Sequence, residues 1–86
     1  MNDPTLREAA IARSVSLARD AGRRGGIPDA GWSLGEKLLT ALVFQRPEQL
    51  EVLGYSEAEA QDRLRYDYGE SSAEFLQVLA RIRSEI

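Results

Sequence analysis

Neither cysteine nor histidine occurs in the chain, and each absence removes a class of chemistry. Without cysteine there is no disulfide framework, no thiolate metal site and no thiol nucleophile. Without histidine the chain lacks the commonest metal ligand and the only side chain that titrates near neutral pH without perturbation. We therefore expect no catalytic residue, no metal site and no cofactor, and a protein that is not an enzyme.

Long hydrophobic runs and a basic amino-terminal stretch are also missing. No apolar run approaches the ~18 residues that a membrane span needs, and residues 1–4 carry no basic side chain. These absences predict a cytoplasmic protein with neither a signal peptide nor a membrane span. Arginine outnumbers lysine ten to one, a bias typical of high-GC coding that favours a bacterial or phage origin.

What the chain does contain is enough apolar and charged residues for one globular domain over residues 1–86. Hydrophobic residues make up 43% and charged residues 29%, which lies outside the range of disordered chains. The net charge is −3 and argues against tight binding to a nucleic-acid backbone. The charge is uneven, because residues 1–26 hold five arginines against three acidic residues, whereas the remainder holds six basic against eleven acidic residues.

Helix-start signals recur along the sequence. A serine or threonine followed three residues later by glutamate is a capping box, in which each side chain binds the other residue's backbone amide. Four such pairs occur: Thr5 with Glu8, Ser33 with Glu36, Ser56 with Glu59, and Ser71 with Glu74. Together with the apolar spacing they predict an all-α bundle of four to five short helices at about 5–21, 34–45, 47–53, 57–68 and 72–85.

A glycine-rich loop at 22–32 is expected between the first two helices, with four of the seven glycines. Trp32 comes at the end of this loop, and we expect it to anchor the loop to the core, the alternative being an exposed recognition aromatic.

The second helix has only one polar strip, formed by Lys37 and Thr40, and Phe44 shares it. We expect this strip to be the most solvent-exposed side of the helix. Phe44 then either meets a neighbouring helix or reaches a partner.

The segment 49–64 resembles a helix-turn-helix, with a glycine-bearing turn at 53–56 between a short helix and a longer one. Its second helix begins with carboxylates at Glu57 and Glu59, which would repel DNA. An ordinary helical hairpin with the same turn is therefore the competing interpretation. On this helix the spacing predicts that Tyr68 is buried and Tyr66 exposed.

By elimination, the sequence favours a small acidic module that binds another protein as a regulatory, inhibitory or accessory factor. Aromatic and arginine residues dominate binding hot spots. The candidate partner-binding residues are Arg19, Arg23, Arg24, Phe44 and Tyr66. Two alternatives stay open: a DNA-associated regulator that uses residues 49–64, and a homo-oligomeric structural protein.

Overall fold

The computed structural model describes residues 4–86, with side chains from Arg7 onward. Within this part of the chain there are five helices and no strand. The helices are α1 Pro4–Gly22, α2 Leu34–Val43, α3 Pro47–Leu53, α4 Glu57–Tyr68 and α5 Ser72–Glu85. The predicted all-α bundle is confirmed, and α2, which ends at Val43 rather than at residue 45, shows the largest difference from the predicted bounds.

Three of the four predicted capping boxes form in full. In each, the serine side chain accepts from the glutamate amide and the glutamate side chain accepts from the serine amide. The three boxes are Ser33 with Glu36, Ser56 with Glu59, and Ser71 with Glu74. The fourth was predicted at Thr5 and Glu8; the Thr5 side chain lies outside the described residues, and both carboxylate oxygens of Glu8 instead bind Arg81 at 2.7 Å.

Four helices end in the same geometry, a residue with positive φ followed by an amide that reaches back to the last helical turn. The residues are Gly25, Gln45, Gly54 and Gly69. At the end of α2, Gln45 has φ 54° and the Arg46 amide donates to the Ala41 carbonyl at 2.9 Å. This motif closes α2 two residues earlier than predicted, because a residue in the left-handed region cannot continue a right-handed helix.

Helix α2 lies at the centre and packs against each of the other four helices. Its Leu38 and Ala41 side chains are fully buried. Thr40 is fully buried as well, so the prediction that it lies on the wettest strip is wrong. Its hydroxyl donates to the Glu36 carbonyl at 2.9 Å, and a satisfied hydroxyl of this size fits a helix that is surrounded on all sides.

The two tyrosines of α4 lie as predicted. Tyr68 is 8% exposed and Tyr66 is 69% exposed. The Tyr68 ring packs against Phe75 of α5, with ring centroids 5.6 Å apart. Phe75 is the largest fully buried side chain among the described residues and joins α4 and α5 to the core.

Helix α5 packs on the core through Phe75, Val78, Leu79 and Ile82, and arginines add polar contacts along a boundary that we call the α5 seam. Arg83 donates to the carbonyls of Leu42 and Val43 at the end of α2, where the Leu42 carbonyl also accepts from the Gln45 amide at 3.2 Å. Arg81 binds both oxygens of Glu8 on α1. The seam thus uses cationic side chains to satisfy polar groups that the ends and faces of other helices expose.

Candidate functional site

Of the residues that the sequence proposes for partner binding, Arg19 joins two helices. Its guanidinium donates to the Glu85 carbonyl at 3.1 Å from Nε and 2.6 Å from Nη2. The end of α5 is thereby tied to α1, which is an internal structural role for this side chain.

Arg23 and Arg24 lie just beyond α1 and differ in how strongly the protein holds them. Arg23 is 71% exposed at its side chain and reaches Asp20 at 3.2 Å. Arg24 lies between Asp20 at 3.4 Å and Asp29 at 2.7 Å, and its guanidinium covers the Trp32 ring at 5.8 Å. The hydrogen bond from Arg24 lowers the pKa of Asp29, so this pair is charged at neutral pH. Arg24 is therefore held in place, whereas Arg23 presents a largely exposed cation.

Phe44 is half-buried beneath the loop that follows α1. A Cβ atom added at Gly26 would lie 3.2 Å from the Phe44 ring, and one added at Gly22 would lie 3.5 Å from it. The ring thus meets the end of α1, which is the first of the two predicted alternatives.

Tyr66 lies on α4. The Arg65 guanidinium carbon lies 4.4 Å from the centroid of its exposed ring.

Trp32 is not part of the core, and the prediction that it anchors the loop there is wrong. The residue is half-buried and does not belong to the buried cluster. The Trp32 amide donates to the Asp29 carbonyl at 3.1 Å, and this turn keeps the ring at the surface, where Arg24 covers one side of it. The alternative, an aromatic at a recognition surface, is the one that this position favours.

The ring forms one wall of a surface groove of about 450 Å³, which we call the Trp32 groove. Its other wall is the outer face of α1. The residues that line it are Arg13, Ser16, Leu17, Asp20, Arg23, Trp32 and Glu36. The groove therefore combines a partly exposed indole, an aliphatic side chain and two arginines within one concave surface.

A second concavity, of about 300 Å³, adjoins the groove and lies between α1, α2 and α4. We call it the Arg13 cleft. It exists because three small residues, Ala10, Ser14 and Gly35, face it where larger side chains would fill the space. The cleft and the groove share three lining residues, Arg13, Leu17 and Glu36, so the two adjoin along α1 and the start of α2.

Arg13 stands apart from the other arginines. Of the ten in the chain, nine form a hydrogen bond or an ion pair within the described residues, and Arg13 forms neither. The nine are Arg7, Arg19, Arg23, Arg24, Arg46, Arg63, Arg65, Arg81 and Arg83. A guanidinium that lines both concavities without a protein partner is a cation available to a ligand.

The inner wall of the Arg13 cleft holds a pair of buried hydroxyls. The Ser14 hydroxyl donates to the Ala10 carbonyl at 2.9 Å and shares a short hydrogen bond with the Tyr68 phenol. Because the single Ser14 proton goes to Ala10, Tyr68 is the donor within the pair. Burial raises the pKa of the Tyr68 phenol above 10.0, an effect that the Ser14 hydrogen bond partly offsets. Tyr68 is therefore neutral at physiological pH.

Sequence reasoning did not find the residues that form this cleft. Arg13, Ser14 and Asp67 come from helices α1 and α4, which are about fifty residues apart in the chain. The spacing of small residues on α1 was a signal for a close helix approach, but the space that Gly35 leaves open on α2 depends on how α4 crosses it. The feature of the sequence that indicates this open space is Gly35 in the first turn of α2, where alanine would give a more stable helix.

Comparison with known proteins does not assign the chain to a family. No protein-family model, no curated protein and no solved structure matches it. Within the described residues, no helix has the length and hydrophobicity needed to cross a membrane.

Proposed function

We propose that the protein is a small interaction module that binds another protein through the Trp32 groove. The observation that carries this proposal is the position of the single tryptophan, at the surface of a bundle whose core is otherwise complete without it. Tryptophan and arginine are the residue types that contribute most to binding hot spots. Placed beside the groove, Trp32 and Arg23 offer an apolar surface and a largely exposed cation to one partner segment.

Preorganisation supports the same proposal. Arg24 is fixed by two carboxylates and lies over the indole, so the Trp32 ring loses little freedom when a partner covers it. A partner segment suited to this surface carries an apolar side chain to contact Leu17 and Trp32, with a carboxylate near Arg23. Regulation, inhibition or assistance of that partner is the role that we propose for so small a module.

Affinity capture from a lysate of the source organism tests this proposal. The tagged protein and its Trp32→Ala variant are compared, and captured proteins are identified by mass spectrometry. We expect a stoichiometric partner with the unaltered chain, and about thirtyfold weaker binding with the variant, since hot-spot truncations cost about 2 kcal/mol or more. Val52→Ala is the matched control, because Val52 is an 87% exposed apolar residue on α3 that does not line the groove.

Two results would contradict the assignment of the groove. Retention of the partner by Trp32→Ala together with its loss in Tyr66→Ala would move the interface to α4. Capture of the same partner by both variants would exclude both the Trp32 groove and the Tyr66 surface of α4.

Light scattering of the purified protein tests the third interpretation, a homo-oligomer, since a single species of monomer mass excludes it.

The helical hairpin α3–α4 supports a second candidate, a DNA-associated regulator. The observation that favours it is the glycine-bearing turn between the two helices, with Gly54 in the left-handed region at φ 84°. Against it, the first turn of α4 carries Glu57 and Glu59, and the latter serves as a cap. Nuclease treatment of the same lysate distinguishes the two candidates, because loss of every partner after digestion would favour DNA association. Binding to duplex DNA would then fall steeply with salt.

A further inference from the structure

The Arg13 cleft carries charges of both signs that the protein leaves unpaired. Arg13 lines it from α1 and Asp67 from α4, and neither forms a hydrogen bond or an ion pair within the described residues. Arg13 directly precedes Ser14 in the chain and Asp67 directly precedes Tyr68, so each charge adjoins one member of the hydroxyl pair that lines the same cleft. A ligand with charges of both signs would satisfy Arg13 and Asp67 together.

The position of Asp67 is unfavourable for its own helix. It lies in the last turn of α4, where the negative end of the helix dipole disfavours a carboxylate. Its Oδ2 lies beside Gly35, close enough that an added Cβ atom there would be at 3.7 Å. The positive end of the α2 dipole, at its first turn, thus partly stabilises the Asp67 carboxylate. A ligand cation would stabilise it further.

The hydroxyl pair adds an acceptor to the cleft. Because Ser14 donates to Ala10 and Tyr68 donates to Ser14, the proton of each hydroxyl is already used. The Tyr68 oxygen keeps a lone pair. The inner wall near Asp67 therefore accepts hydrogen bonds from N–H groups of a ligand, whereas the guanidinium of Arg13 binds an anionic group of the ligand.

Apart from Ser33 and Glu36, whose side chains form the capping box of α2, the remaining lining is mainly aliphatic and defines a small volume. Leu17, Leu39 and Leu64, one from each of the three helices, face the cleft. At about 300 Å³, the cleft is at the lower end of the range for ligand pockets, so it suits a molecule smaller than most drugs. Its three leucines favour an apolar group on that molecule.

We propose that the Arg13 cleft binds a free α-amino acid with an apolar side chain. The ligand carboxylate pairs with Arg13, the ammonium group lies near Asp67 and the Tyr68 oxygen, and the side chain contacts the leucines. This site is separate from the partner surface of the proposed function, although Arg13 contributes to both. Gly35 and Asp67 line the cleft alone, and Trp32 and Arg23 line the groove alone.

Titration of the isotope-labelled protein with L-leucine and L-phenylalanine, followed by NMR, tests the proposal. We expect saturable shifts of the Gly35 and Asp67 amides. The deaminated acid and the decarboxylated amine of leucine each lack one charged group, and each should bind about tenfold more weakly, as the loss of one charge-assisted hydrogen bond implies. Equal binding of leucine and its deaminated acid would overturn the assignment of the ammonium group to Asp67.

Substitutions in the protein provide the complementary test. Arg13→Gln and Asp67→Asn should each weaken leucine binding about tenfold. Lys37→Gln is the matched control, since Lys37 also lacks an ion pair but does not line the cleft, and its affinity should equal that of the unaltered protein. An equal effect of Lys37→Gln would show a general influence of net charge and would overturn the proposal.

Gly35→Ala separates binding from folding. The added methyl group would lie 3.7 Å from Asp67 Oδ2 and 3.9 Å from Leu64 Cδ2, so it narrows the cleft without a clash. We expect a protein at least as stable as the original that binds leucine more weakly. Unchanged affinity in Gly35→Ala, or no saturable shift with either amino acid, would overturn the proposal. Capture of a partner depends on Trp32 and not on Gly35, so the two proposals can fail separately.

Discussion

The two sides of the bundle use the same residue type in opposite ways. Along the α5 seam, Arg81 and Arg83 satisfy a carboxylate and two helix-end carbonyls. On the α1–α2–α4 side, Arg13 has no hydrogen-bond or ion-pair partner among the residues that the structure describes, and it lines the groove and the cleft. The difference teaches that an arginine's role follows from what the tertiary structure leaves unsatisfied around it.

The largest expected effect is the loss of core packing behind the seam. Phe75→Ala removes a fully buried aromatic side chain that packs against Tyr68, and it should lower the free energy of unfolding by about 3–5 kcal/mol. Urea denaturation followed by circular dichroism measures this change. The control is the adjacent Leu76→Ala, at a half-exposed side chain, where the loss should stay below about 1 kcal/mol. Similar losses in the two variants would contradict the burial of Phe75 against Tyr68.

A direct comparison of two arginines sharpens the contrast between the sides. Arg83→Ala leaves the Leu42 and Val43 carbonyls without their charged donor and should cost about 1.5–3 kcal/mol of stability. Arg13→Ala breaks no hydrogen bond and should change stability by less than about 0.5 kcal/mol. The same urea titrations measure both variants. If Arg13→Ala were the more destabilising, the two sides would not differ in the way proposed.

The end of α2, next to the seam, holds a residue in an unfavourable backbone conformation. Gln45 occupies the left-handed region that the other three helix ends fill with glycine. Gln45→Gly should therefore raise the free energy of unfolding by about 0.5–1 kcal/mol, measured as a higher melting temperature. A lower melting temperature would mean that the Gln45 side chain contributes more to stability than its backbone conformation costs.

The smallest expected effect is a pH dependence of the free energy of unfolding that arises from Tyr68. Its pKa is raised in the folded protein, so its contribution to stability is fully present below pH 10.0 and is lost as the pH rises through the folded value. Alkaline unfolding should therefore be less steep in Tyr68→Phe than in the unaltered protein. Tyr66→Phe is the control, and an identical change in both variants would remove Tyr68 as the source.

Local signals were sufficient to predict the helices. Capping boxes at Ser33, Ser56 and Ser71 act within one turn, and they placed three helix starts correctly. The end of α2 was harder to predict, because Gln45 adopts the left-handed backbone conformation, which glutamine rarely adopts. The periodicity of α4 also separated buried Tyr68 from exposed Tyr66.

Positions that depend on neighbouring helices were predicted poorly. The hydrophobicity of Trp32 suggested a core position, but a turn at Asp29 and the guanidinium of Arg24 keep the ring at the surface. Thr40 looked solvent-facing on a single helix, but four other helices pack around α2 and bury it. In both cases the deciding contacts come from outside the element that carries the residue.

By itself, the sequence determined the fold class, the helix starts and the absence of cysteine and histidine chemistry, because these depend on composition and on contacts within a few residues. Only the tertiary structure decided which arginine is left without a partner in the described part of the chain. Ten arginines look alike in the sequence, and what separates Arg13 from the rest is whether a carboxylate or carbonyl from a distant helix comes within reach. That depends on helix packing, which brings Arg13 and Asp67 to one cleft and leaves both unpaired there.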